Sequence, residues 1–101
     1  MASDWATKGA HVHIGKDEVR IFANAKGIIT GEPIRLKATG WASESSVRKA
    51  VEAVNSDPAL RADLIAKAKS AKENMLDHNW GNTVNRANEM QALIDSLEKT
   101  P

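Results

Sequence analysis

The sequence predicts an α+β domain: a small antiparallel β-meander of three to four strands, followed by three α-helices packed on one of its faces. Three observations lead there. Apolar and polar residues alternate in short runs up to about residue 38, and apolar residues then recur at helical spacing from Val47 onward. Glycine-containing turn signals separate the early runs. Cap and proline signals open the later ones. At 101 residues and 10.9 kDa the chain is the length of one ordinary domain, residues 1–101, with strands at about 10–38 and helices at about 43–98.

The first strand is expected from about Ala10 to Ile14, with Gly15-Lys16-Asp17 as a hairpin connection into a second strand from Glu18 to Ala23. Successive side chains of a strand point to opposite faces. Val12, Ile14, Val19 and Ile21 therefore share a core face, while His11, His13, Arg20 and Phe22 share the other. Asn24-Ala-Lys-Gly27 is a second turn signal. Ile28-Ile29-Thr30 reads as a short strand interrupted by Gly31-Glu32-Pro33. Ile34 to Ala38 alternates again, with Ile34 and Leu36 inward and Arg35 and Lys37 outward.

Beyond Gly40-Trp41 the period lengthens. Ser43 is a fitting N-cap for a helix that ends near Asn55 and places Val47, Ala50, Val51 and Val54 on one face. Asp57-Pro58 supplies a cap and a first-turn proline for a long helix reaching about Asp77. Its stripe is Leu60, Leu64, Ala68, Ala71 and Met75, widened by Ile65 and Leu76. Arg61, Lys67, Lys69 and Lys72, interleaved with Asp63 and Glu73, form its solvated side. Gly81 suits a helix end. A last helix from about Val84 to Leu97 is expected to bury Val84, Ala87, Met90, Leu93, Ile94 and Leu97.

The composition, 42% hydrophobic and 27% charged, is that of a folded domain rather than a disordered tail. No cysteine is present, which excludes disulfides, thiolate metal sites and a cysteine nucleophile. The apolar stretches fall far short of the roughly 20 residues a membrane helix needs, so a soluble, unanchored chain is expected. Net charge is only +1, but its distribution is uneven: residues 1–40 carry +2 and residues 41–101 carry −1.

The outward strand positions collect His11, His13, Arg20, Phe22, Arg35 and Lys37: two imidazoles, three fixed cations and one aromatic ring, with no acid counted among them. Such a face suits a polyanion, with cations on phosphates and Phe22 stacking on a base. Imidazole adds proton transfer near neutral pH. Cleavage of RNA needs little more, because its 2′-hydroxyl is its own nucleophile. A base takes that proton, an acid protonates the leaving 5′-oxygen, and Lys or Arg stabilises the developing charge. RNA is thus the expected substrate, with tRNA one candidate, and no cofactor or metal is required. A bare solvated face accounts for the same pattern without function. His-x-His also fits half of a zinc site, but two ligands are not three or four unless Asp77-His78 folds over the sheet. His78 is a third acid/base candidate and Trp80 a further substrate contact, at the break between the last two helices.

Lys-Gly-Ala-His-Val-His at 8–13, Asn-Ser-Asp-Pro-Ala-Leu-Arg at 55–61 and Asn-Arg-Ala-Asn-Glu-Met-Gln-Ala-Leu-Ile-Asp-Ser-Leu-Glu at 85–98 resemble the C-terminal toxin domains of bacterial polymorphic toxins of the contact-dependent inhibition and Rhs types. The resemblance covers most of the chain in scattered segments. It implies one domain of a longer secreted effector, often a nuclease, acting in the cytoplasm of a rival cell. It also implies a dedicated immunity protein as partner, so that the chain exists as a monomer or a 1:1 complex. It carries no catalytic residues over. A second likeness is to small toxin-antitoxin proteins with a His-Val-His-Val strand, although the usual residues before the first histidine are missing. The alternative function is accordingly a non-catalytic immunity protein or antitoxin that binds a cognate toxin.

Overall fold

Gly15 sits at φ +60°, the positive value that a two-residue hairpin loop favours, and the Gly15-Lys16 loop sets the register of the first hairpin. In it β1 (His11–Ile14) lies antiparallel to β2 (Asp17–Ala23), with His11 opposite Arg20, Val12 opposite Val19 and His13 opposite Glu18. This computed structural model describes Trp5, residues 9–78 and residues 83–99, with backbone alone at 75–78 and 83. A third antiparallel strand, β3 (Ile29–Pro33), pairs with the other edge of β2, giving the order β1-β2-β3. The three helices follow in chain order: α1 (Glu44–Ser56), α2 (Pro58–His78) and α3 (Thr83–Lys99). The architecture is the expected α+β arrangement of an antiparallel sheet followed by three helices.

The expected interruption at Gly31-Glu32-Pro33 is instead continuous strand. The glycine is there for packing. A Cβ on Gly31 would lie 2.8 Å from Val51 Cγ2, 3.2 Å from Val19 Cγ1 and 3.3 Å from Val47 Cγ1, so α1 rests directly on the backbone of β3. Pro33 is tolerated because it ends an edge strand, where a missing N–H leaves no central ladder bond unmade. The strand expected over Ile34–Ala38 is a two-residue β4 (Arg35–Leu36). It pairs with β5 (Gly40–Trp41) as a separate ribbon, and Lys37 lies in the turn between them.

Val12, Val19, Ile21 and Ile29 from the sheet, Ala50 and Val54 from α1, Leu64, Ala68 and Ala71 from α2, and Met90, Leu93, Ile94 and Leu97 from α3 form one buried cluster. Val84, expected inside, is exposed in the first turns of α3. Met75 and Leu76 have side chains outside the described residues. Ser43 caps α1, its hydroxyl accepting from the Ser46 N–H at 3.1 Å. Asp57 does the same for α2, accepting from Ala59 N–H at 3.0 Å and Leu60 N–H at 3.3 Å. Arg61 departs from its expected solvated place: it is buried, donating from Nε to the Val54 carbonyl at 3.2 Å and from its terminal nitrogen to the Asn55 carbonyl. The last carbonyls of α1 have no helical donors of their own, and the first turn of α2 brings a guanidinium to them. Among the described residues no helix is long and apolar enough to cross a membrane.

Candidate active site

The sheet face opposite the main core carries the histidines, and it also carries acids. Because residues directly opposite in an antiparallel pair share a face, Glu18 joins His13, and Glu32 joins Arg20, on the outward side. The expectation of an acid-free cationic face is therefore corrected. Its charge is mixed, and the acids divide the predicted residues into groups with different fates.

His11 and His13 are brought together. Their ring centroids lie 5.6 Å apart in an edge-on arrangement, and Trp5, itself buried, places its ring 6.0 Å from His11. The Nδ1 of His11 is 3.1 Å from the Gly9 carbonyl, which can only accept, so Nδ1 carries the proton. The other nitrogen, Nε2, faces Glu18 Oε1 at 3.7 Å. Both of these side chains are nearly covered, 8% exposed for His11 and 14% for Glu18, whereas His13 is open to solvent. One sheltered imidazole-carboxylate pair thus adjoins one accessible imidazole. Gly9 makes this possible: at φ +80° its N–H closes on the Trp5 carbonyl at 2.9 Å, which turns its own carbonyl toward His11.

No family model, curated protein or solved structure matches this chain.

Arg20 stands opposite His11 but is committed elsewhere. One terminal nitrogen donates to Glu32 Oε2 at 2.7 Å, the other to Glu89 of α3, and Cζ lies 4.8 Å over the Phe22 ring. Glu89 also pairs with Arg86 at 3.0 Å. Burial first, and repulsion from Arg20 second, push the Arg86 guanidinium below its ordinary value. Two cations and two anions cancel, so Arg20 meets no phosphate without giving up an ion pair. Phe22 is likewise occupied under the guanidinium.

Arg35 and Lys37 are exposed and lie on the ribbon, apart from the three-stranded sheet. The register pairs Arg35 with Trp41, a tryptophan 66% exposed, so a cation and a large aromatic ring occupy one side of that ribbon. The ribbon springs from the Glu18 end of β2, where the Ile34 N–H donates to the Glu18 carbonyl at 3.1 Å. Trp41 is the aromatic platform that parity reasoning missed, because a two-residue strand has no alternation to read. Glu18 was missed too, although the hairpin register points to it. The imidazole of His78 and all of Trp80 lie outside the described residues. A shallow depression lined by Pro33, Ala42, Glu44, Val47 and Arg48 contains none of the predicted site residues.

Proposed function

We propose that the chain is an interbacterial toxin domain that cleaves RNA without a metal. The observation that carries this is the contact of His13, open to solvent, with a His11–Glu18 pair whose Nε2 and Oε1 are 3.7 Å apart. In the proposed step the His11–Glu18 pair takes the proton of the 2′-hydroxyl. The 2′-oxygen forms its bond to phosphorus, and the bond from phosphorus to the 5′-oxygen breaks as His13 delivers a proton to it. The products are a 2′,3′-cyclic phosphate and a 5′-hydroxyl, so atoms and protons balance. Arg35, Lys37 and Trp41 extend the site as a strand-binding surface, two charges for the backbone and one ring for a base. A cognate immunity protein in the producing cell neutralises the domain by covering His13.

The folded domain incubated with total RNA and tRNA in EDTA between about pH 5 and 8 is expected to yield cyclic-phosphate ends, and His13→Ala to abolish them. No cleavage anywhere in that range overturns the proposal. A second reading is favoured by one observation, the exposure of Trp41 beside Arg35: a non-catalytic immunity protein or antitoxin that meets its toxin through that ribbon. Expression in a bacterial host separates the two. A toxin arrests growth unless its neighbour gene is present, whereas an immunity protein is harmless alone and protective in the pair.

A further inference from the structure

We propose that His11, His13 and Glu18 form a binding site for a divalent first-row transition metal, with Zn²⁺ as the natural probe. The donor atoms of the three side chains all lie within 4.8 Å of one another. A tetrahedral zinc site with bonds near 2.1 Å requires donors about 3.4 Å apart, so the widest pair must close by roughly 1.4 Å at most. His13 is solvent-exposed and free to swing, which makes that contraction a matter of one side-chain rotation rather than backbone movement.

Two features mark the cluster as more than a chance meeting. The Gly9 carbonyl holds the Nδ1 proton of His11, which leaves a lone pair on Nε2 aimed at the same space as the Glu18 carboxylate. This outer contact is the kind that orients metal-bound histidines and strengthens them as donors. A neutral imidazole lone pair facing a carboxylate oxygen at 3.7 Å is also repulsive, and a cation between them removes the repulsion. A metal ion does so with a third donor from His13. The low exposure of His11 and Glu18 strengthens the attraction, because solvent screens it less.

Two imidazoles and one carboxylate suit zinc and its neighbours rather than Mg²⁺ or Ca²⁺, which favour all-oxygen shells. Three protein donors also leave a coordination position open to water or to an anionic ligand. Binding follows from the donors alone. Its consequence rests on the ribonuclease reading: the metal occupies the nitrogen and oxygen atoms that would move protons, so Zn²⁺ and RNA cleavage exclude one another.

Titration of ZnCl₂ into the chelator-free, folded domain by calorimetry is the test. One ion per chain is expected, with affinity falling roughly tenfold or more in both His13→Ala and Glu18→Gln. Millimolar Mg²⁺ should not displace the zinc. His13 is exposed, so its removal leaves the fold intact, and circular dichroism on each variant confirms that the loss is local. Absence of stoichiometric binding, or binding undiminished in either variant, overturns the site. Cleavage assays in EDTA are independent of this result: zinc binding without RNA cleavage would leave the metal site standing and remove only the ribonuclease reading.

Discussion

Replacing Gly31 by alanine tests whether helix α1 truly rests on the β3 backbone. The new methyl would sit 2.8 Å from Val51 Cγ2, closer than carbon atoms approach without displacement, and 3.2–3.3 Å from the methyls of Val19 and Val47. Overpacking of this kind costs about 1–3 kcal/mol. Restricting the unfolded chain returns about 0.4–1 kcal/mol, which leaves a net loss of about 1–2 kcal/mol. At about 4–8 °C per kcal/mol for a domain of this size, the melting temperature should fall by roughly 8 °C. Removing the other side of the contact provides the control. Val51→Ala costs about 1 kcal/mol alone, but in the double variant it also vacates the space that the new methyl needs. Chemical denaturation of all four proteins should give a double variant no less stable than Gly31→Ala, a coupling of about 1 kcal/mol. Strict additivity, with the double variant losing about 2.5 kcal/mol, would refute the direct contact.

Arg61→Ala should destabilise by about 2 kcal/mol in denaturant titration, since it leaves the Val54 and Asn55 carbonyls without their charged donor. Asp17 accepts from the Ser46 hydroxyl at 2.7 Å and the Ser43 N–H at 3.1 Å, and these bonds, the hydroxyl first, hold its pKa below the ordinary 3.8. Its contribution to stability is present above that ordinary value and is lost as pH falls through the lower folded one. Asp17→Asn should therefore flatten the stability curve below about pH 4, measured as melting temperature against pH. Trp41→Ala should leave the melting temperature nearly unchanged, because the ring is 66% exposed, while weakening single-stranded RNA binding by about 1–3 kcal/mol in a fluorescence titration.

What could be read in advance follows from the range over which each interaction acts. Val12, Val19 and Ile21 declared their common face through parity alone, and Ser43 and Asp57 declared two helix starts through their own chemistry. Glu18 is equally legible: a two-residue loop after Ile14 requires His13 to face it. Gly31 looked like a break, because nothing local distinguishes a glycine that turns the chain from one that admits a helix 16 to 20 residues onward. The link between Arg20 and Glu89 spans 69 residues and has no periodic signature. The acid-free reading of the outward face failed in part for that reason. Its central cation is answered by a helix whose placement over the sheet only the fold reveals.

The burial of Arg61 has a dynamic consequence. A helix normally frays from its own end, each terminal turn opening at little cost while its neighbours hold. Here the final carbonyls of α1 are held by a side chain rooted in the first turn of α2, so neither end can open without releasing the other. The two helices, separated by Asp57 alone, are thereby joined into one cooperative unit across their shortest connection. Amides near the end of α1 should exchange with solvent at the rate set by the opening of α2, as though the two helices were a single bent rod.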